Sequence, residues 1–321
     1  MIFMKDYNGQ YMIRSDSMLD LTIIGGGPAG MTAALYALRS GLKVGLIEQG
    51  APGGQLLKTE RIDNYPGFAV GILGMDLATN MFMQIGSFEK FSMINDTAKK
   101  IKRQAQGFSV EISTGTVESK AVIVATGGNP RNLDIKGEKE FSGRGVSYCA
   151  ICDGFFFKDK IVAVIGGGNT ALEDALYLSS IAREVYLIHR RNAYRGSKIL
   201  VDRLKDHDNI HQMLEKTPIE IKGEGKVSEI VIKDISNGET TSLFVNGVFL
   251  AIGQVMNSDF VKDILATDDS GHIVVDEKME SVIPGLFACG DIIAKDLRQV
   301  STAVGDGAIA GQMAYEYLSR L

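Results

Sequence analysis

Residues 19–48 read LDLTIIGGGPAGMTAALYALRSGLKVGLIE, and the order of apolar run, glycine cluster and second apolar run decides the fold. Leu19 to Ile24 has the length and composition of a buried strand. It ends in Gly25-Gly26-Gly27-Pro28-Ala29-Gly30, and a helical pattern continues from Pro28 to Ser40 with Gly41 as its stop. A second strand is predicted from Lys43 to Ile47, ending at Glu48. Glycines between a strand and a helix let the backbone approach a pyrophosphate at the positive helix end, and an acidic residue closing the second strand binds ribose hydroxyls. The stretch therefore predicts a βαβ dinucleotide-binding unit, with Gly25, Gly27, Pro28, Ala29 and Gly30 at the phosphates and Glu48 at the ribose.

The plan recurs. Ile161 to Ile165 leads into Gly166-Gly167-Gly168-Asn169-Thr170-Ala171, a helix is expected through about Ser180, and Glu184 to Ile188 ends at His189. In both copies the strand-end residue lies 23 positions after the first glycine, which marks an internal duplication. In the second copy His189 replaces the carboxylate, followed by Arg190, Arg191 and Arg195. Losing the carboxylate removes like-charge repulsion, and guanidinium groups offer bidentate contacts to a 2′-phosphate, which selects NADP over NAD. The rival reading of these arginines is a solvated basic cluster at a helix start.

Ala121 to Gly127 reads as a buried strand leaving a glycine turn, and Leu250 to Gly253 reads similarly. Gly285 to Asp291 and Arg298 to Gly311 form a further strand, turn and helix with no dinucleotide unit of their own. The economical topology is α/β with two Rossmann-like, three-layer dinucleotide-binding domains, the second inserted into the first. The expected divisions are an extension at 1–17, a first domain at 18–128 and 256–321, and the inserted domain at 129–255.

Cys149-Ala150-Ile151-Cys152-Asp153 precedes the second glycine cluster. Half of a zinc site, a structural disulfide and a redox dithiol compete for this CxxC. Zinc needs two more ligands and no second CxxC or Cys/His pair supplies them. A structural disulfide over so small a loop stabilises little. Redox exchange is the favoured reading, with Asp153 placed to pass a proton to or from a thiolate; the bland reading of Asp153 is a turn or cap aspartate. Cys289 reads as a buried small side chain. His207 and His211, four apart, could share a solvated helix face, and His272 has no supporting context.

Composition bounds the partners. The 321 residues suit about two domains, and a formal net charge of −5 argues against nucleic acid. No apolar run reaches the ~18 residues of a membrane span. Three cysteines, two of them in the CxxC, suit a cytoplasmic setting and a working disulfide. Residues 1–17 are polar and do not read as a secretory signal.

CAICDG (149–154), GGGNTA (166–171) and HRRNAYR (189–195), in this order, resemble the low-molecular-weight bacterial thioredoxin reductases. GGQLLKTERIDNYPGF (53–68), ATGG (125–128), ACGDI (288–292) and RQVSTAVGDG (298–307) match the same family pattern, and the resemblance spans roughly 19–321. It implies an FAD domain, an inserted NADPH domain and a homodimer. By position it puts FAD among the first fingerprint, Glu48, Gln49, Gly53, Gly54, Gln55, Leu56, Asn64, Thr126, Gly127 and Gly290. Asp291 is implied at the ribityl chain, and Arg298, Gln299 and Val300 near the isoalloxazine, with a helix N-terminus aimed at the ring. NADPH is implied at Gly167, Gly168, Asn169, Thr170, Glu173, His189, Arg190, Arg191, Arg195, Ile252 and Gly253.

Electrons are then expected to run from NADPH to FAD to Cys149–Cys152 and on to thioredoxin or a similar dithiol protein, with Cys152 on the flavin side, Cys149 attacking the partner and Asp153 as acid/base. The family also implies a rotation of the NADPH domain about hinges near 127–132 and 253–258. The chain departs from the family pattern in its N-terminal extension, in Lys58 and Arg61, and in Asn192-Ala193-Tyr194. The other readings are a reductase of another redoxin, a flavin-dependent dithiol oxidase, which needs no arginines for NADPH, and a nucleotide-binding sensor, which needs no dithiol.

Overall fold

The computed structural model describes residues 18–59 and 61–321, so the extension expected at 1–17 lies outside the described residues. The chain forms two compact units, one made of the sequence up to Asn129 together with Val255–Leu321, the other of Pro130–Gln254.

In the discontinuous unit the strand Leu19–Ile24 pairs in parallel with Val44–Glu48 on one side and with Gly115–Val124 on the other. Phe91–Asn95 extends the sheet beyond Val44–Glu48. The strand Gly115–Val124 is longer than the sequence suggested because its two halves have different neighbours. Its first half takes an antiparallel ladder from Phe108–Ile112, and its last residues pair with Leu286–Ala288, so the late strand completes this seven-stranded sheet. Alternation along Gly115–Val124 covers both faces. Ala121 and Ile123 pack under the helices, while Val122 and Val124 pack against the Met256–Ile293 region. A strand buried on both faces reads as a continuous apolar run, and Ala121–Val124 does, whereas Gly115–Lys120 is largely polar and exposed.

The helix Pro28–Arg39 stops as expected, with Gly41 at φ +84°. It lies along the C-terminal helix, which runs Val300–Leu318 and so extends well past the expected Gly311. Small residues bring the two backbones together: a Cβ on Gly307 would lie 2.2 Å from the Ala29 carbonyl oxygen, and one on Gly311 would lie 2.5 Å from that of Ala33. This close packing fixes where the Gln299–Val300 end of the helix lies relative to the first glycine turn.

The contiguous unit repeats the architecture with a five-stranded parallel sheet, Val146–Ser147, Gly247–Leu250, Ile161–Ile165, Glu184–Ile188 and Ile210–Met213 in spatial order. Val162 and Val164 face the helix Asn169–Ser179, while Ala163 and Ile165 face a three-stranded antiparallel sheet formed by Lys216–Glu224, Lys226–Asp234 and Thr240–Phe244. The expected shared helix face for His207 and His211 is corrected here. His211 lies on the strand Ile210–Met213 and meets Glu184, whereas His207 follows the preceding helical turn and meets Ser179. Among the described residues no helix is long and apolar enough to cross a membrane.

Candidate functional site

The two glycine turns share a steric logic. Gly25 has φ +105°, and a Cβ there would sit 2.5 Å from the Ala125 carbonyl oxygen; Gly166 has φ +154°, with the Ala251 oxygen at 2.3 Å. Each turn is thus pressed against the residue that follows a central strand, and a side chain would prise the two apart. Gly27 and Gly168, the N-caps of the two helices, have nothing within 4 Å of an added Cβ and no side chain capping the first turn. Both helices therefore present uncapped N–H groups into open space, the arrangement that receives a phosphate.

At the first turn Glu48 accepts from Gly26 N–H (2.8 Å) and Gly50 N–H (3.0 Å), which orients its carboxylate and leaves lone pairs for hydroxyls. Gly53 N–H donates to the Gly26 oxygen (2.8 Å), bringing the Gly53-Gly54 loop onto the same turn. Gln55 donates to the Gly128 oxygen (2.8 Å), and Asn64 donates to Gln299 Oε1 (2.8 Å). Gln49 is exposed, while the Leu56 side chain is buried with Ile62, Leu77 and Ala78, leaving only its backbone for a ligand. Thr126 is held by Asn257, whose amide donates to the Thr126 oxygen (2.9 Å) and whose own carbonyl accepts from Thr126 Oγ1 (2.8 Å). No motif in the sequence points to Asn257. Gly290, at φ +81°, donates to Asp306 and lets the turn after Leu286–Ala288 lie against Ala29. The helix from Val300 is partly self-capped, with Gln299 N–H donating to Thr302 Oγ1 (3.1 Å) in a capping box.

Among the described residues of this unit three buried side-chain polar atoms lack a hydrogen-bond partner: Thr22 Oγ1 inside the central strand, and Asp291 Oδ1 and Arg298 Nε near the start of the C-terminal helix. Lys295 Nζ stands 3.6 Å from Asp291 Oδ1, an ion pair beyond hydrogen-bond reach. Burial pushes the Asp291 carboxyl above its usual range, partly offset by Lys295 and Arg298. An orphaned buried polar group costs about 1–3 kcal/mol. A ligand carrying hydroxyls and ring acceptors satisfies an acceptor and a donor placed this way, so these residues fit a flavin dinucleotide.

In the contiguous unit the Arg195 and Gly196 amides both donate to the Gly167 oxygen (2.6 and 3.1 Å), and Ser197 N–H donates to Asn169 Oδ1 (2.8 Å). These bonds fold the arginine loop back onto the second glycine turn, in a loop rather than at a helix start. Arg190, Arg191, Arg195 and Glu173 are exposed, and Thr170 shares the open first turn of the helix. His189 is buried beneath Gly167 and stacks on Tyr194 at 5.6 Å. Burial, then Arg195, Arg191 and Arg190, push its pKa down, so the imidazole is neutral and the arginines carry the charge. His189 Nε2 and the Tyr194 hydroxyl are buried without partners, which suits a polar ligand laid over this loop. Ile252 packs into the core, and Gly253, at φ +96°, accepts from Arg131 N–H (3.0 Å).

Cys149 and Cys152 form a disulfide with Cα atoms 5.3 Å apart. Cys149 caps the short helix Ala150–Asp153, and Cys152 N–H donates to its sulfur (3.2 Å), a contact that favours a thiolate at Cys149 after reduction. Cys152 is the more exposed of the pair, so exposure alone does not sort their roles. Ser147, unremarked in the sequence, organises the site. Its hydroxyl donates to Asp153 Oδ2 (2.5 Å) and accepts from Cys149 N–H (3.1 Å). Burial raises the Asp153 pKa and the Ser147 hydrogen bond partly restrains it. The segment is anchored upstream by buried Glu138, which accepts from Leu133 and Asp134 amides and from the Tyr148 hydroxyl (3.1 Å). Cys289 is fully buried, with its thiol pushed up mainly by burial, and stays outside the redox centre.

The model of the family described as pyridine nucleotide-disulphide oxidoreductase matches residues 19–307. The thioredoxin reductase of Listeria monocytogenes is 42% identical over 97% of this chain and 97% of its own length. That of Bacillus subtilis is 40% identical, covering 95% and 96%. A solved thioredoxin reductase from Streptococcus pyogenes is 45% identical, with a TM-score of 0.92, covering 96% of this chain and 100% of its own.

Proposed function

Because the chain belongs to the pyridine nucleotide-disulphide oxidoreductase family, we propose that it is a thioredoxin-disulfide reductase, moving electrons from NADPH via FAD and the Cys149–Cys152 disulfide to thioredoxin or a similar small dithiol protein. The observation that carries this reading is the closed Cys149–Cys152 disulfide in the same unit as the arginine-fringed glycine turn. The discontinuous unit takes FAD, with the Gly25–Gly30 turn at the pyrophosphate, Glu48 at a ribose, Asp291 at the ribityl chain and Arg298 to Val300 beside the ring. The contiguous unit takes NADPH, with Gly167 to Thr170 at its phosphates and Arg190, Arg191 and Arg195 at the 2′-phosphate. FAD, when bound, accepts a hydride from the nicotinamide and supplies an electron pair to a disulfide.

The chain's own chemistry is thiol exchange. Reduced Cys149 attacks one sulfur of the partner disulfide; a mixed disulfide forms and one partner thiolate leaves. Cys152 then attacks Cys149 Sγ, re-forming the Cys149–Cys152 disulfide and expelling the second partner thiolate. The electron pair ends on the partner's two sulfurs, which take up two protons. Asp153, whose pKa burial raises against the restraining Ser147 hydrogen bond, is the acid that donates one of them. Ile151, Phe155 and Phe156 are 50%, 74% and 47% exposed, an apolar rim beside the disulfide that suits a protein substrate.

The resemblance also carries a homodimer, which light scattering of the holoprotein checks, and a cytoplasmic setting, supported by a reactive rather than structural cysteine pair. Thioredoxin-dependent NADPH oxidation tests the reading. Wild type turns over, while Cys149→Ser and Cys152→Ser each lose turnover; turnover retained by either variant overturns it.

A further inference from the structure

His272, with no role in the sequence motifs, has a polar partner at each ring nitrogen, and the pair fixes its tautomer. It ends a tight turn tied by Asp268, which accepts from the Ser270 and His272 amides, and Ile273 N–H donates to the Ile292 oxygen (2.9 Å), pinning the turn beside the segment that leads to Arg298. Its side chain is 14% exposed. Nε2 lies 2.7 Å from Arg298 Nη2, and Nδ1 lies 2.9 Å from Asp268 Oδ2. A guanidinium has only donors and does not deprotonate. Nε2 must therefore accept, so the ring proton resides on Nδ1 and is donated to Asp268. The remaining bonds of Arg298 go from Nη1 to the Lys295 oxygen (2.9 Å) and from Nη2 to the Ile293 oxygen (3.4 Å). Both terminal nitrogens are thus occupied, and Nε is left buried with no partner.

We infer that His272 is a positioning residue for the flavin site: an Asp268-fixed acceptor that sets the rotation of the Arg298 guanidinium so that its Nε–H is the free donor facing an acceptor on the bound ring. This rests on the reading that places Arg298 beside the isoalloxazine. A cation held there stabilises the negative charge gained on reduction, as an opposite charge does for any ionising group. Loss of Arg298, or of the acceptor that orients it, lowers the flavin potential.

The test uses FAD-loaded full chain and two readouts, the flavin midpoint potential and the FAD dissociation constant of the apoprotein, for Arg298→Met, His272→Leu, His272→Gln and His272→Asn. Arg298→Met is expected to shift the reduced-to-oxidised ratio by about tenfold, which is about 30 mV for a two-electron couple. His272→Leu shifts it in the same direction. Gln places an amide oxygen near the Nε2 position and restores the wild-type potential; Asn, equally polar but one methylene shorter, does not. Gln and Asn variants that behave alike overturn the positioning role, as does a wild-type potential in His272→Leu while Arg298→Met is shifted. A wild-type potential and FAD affinity in Arg298→Met overturn instead the placement of Arg298 at the ring.

Discussion

Replacing Gly27 and Gly30 separately by alanine distinguishes a glycine that faces ligand from one that faces protein. Gly27 has φ −74°, and an added Cβ meets nothing within 4 Å. Alanine is therefore tolerated by the apoprotein, and by narrowing the unfolded ensemble it is neutral or stabilising by about 0.4–1 kcal/mol. The same methyl enters the space in front of the uncapped helix end, where the proposed pyrophosphate accepts charge-assisted hydrogen bonds worth about 1.5–3 kcal/mol each. Loss of one such bond raises the FAD dissociation constant about ten- to a hundredfold. At Gly30 a Cβ would lie 1.9 Å from the Gly25 carbonyl oxygen and 3.3 Å from Ala125 Cβ. Backbone cannot step aside as a flexible side chain can, so Gly30→Ala costs at least the about 1–3 kcal/mol of an overpacked core and destabilises the apoprotein itself. Thermal unfolding of both apoproteins and titration with FAD, followed by flavin fluorescence, read the two effects apart. Wild-type FAD affinity in Gly27→Ala would mean that Gly27 does not face the pyrophosphate, and an unchanged melting temperature in Gly30→Ala would mean that the Gly25 carbonyl does yield.

Arg190→Ala with Arg191→Ala removes two guanidinium groups from the loop docked on Gly167; KM for NADPH rises about ten- to a hundredfold by loss of charge-assisted bonds, while the reaction with NADH, measured in parallel, is unchanged. Burial, aided by Glu173, pushes Asp174 up to about 7 from its ordinary 3.8. Between those values the native state holds a proton that the unfolded chain releases, so stability falls as pH rises through the interval; Asp174→Asn accordingly raises the melting temperature at pH 8 and leaves it unaltered at pH 3, and an equal effect at both rejects the cause. Ser147→Ala removes the hydrogen bond that restrains the Asp153 pKa and frees the Cys149 amide, so the alkaline limb of the thioredoxin half-reaction moves to higher pH and its maximal rate falls, as stopped-flow pH profiles will show.

The parts of the fold legible in the sequence are those written in local spacing. Strand, glycine turn, helix and second strand lie within thirty residues, and the steric need for glycine at Gly25 and Gly166 arises from the strand-end carbonyls of Ala125 and Ala251, which any such unit presents. Strand lengths were less legible, because Gly115–Val124 is extended by a hairpin partner on one half and a returning C-terminal strand on the other. The same limit explains His211, placed on a strand by its parallel neighbour Glu184–Ile188 rather than by its own sequence. At the site, residue types with fixed chemistry, the CxxC and the arginines, could be read directly. Ser147, Asn257 and His272 could not, since each matters through a hydrogen bond to a distant or unremarkable neighbour: Asp153, Thr126 and Arg298. Serine, asparagine and histidine are common surface residues, and only the tertiary fold selects their partners.

On the proposed mechanism NADPH electrons leave through Cys149–Cys152 to a partner disulfide. Bleaching the FAD-loaded protein anaerobically with NADPH and then adding oxidised thioredoxin, while following flavin absorbance, tracks those electrons step by step. Bleaching by NADPH and rapid return of colour on adding thioredoxin are expected, with Cys149→Ser bleaching equally but staying bleached. Failure of the wild-type colour to return, or its return in Cys149→Ser, contradicts the mechanism.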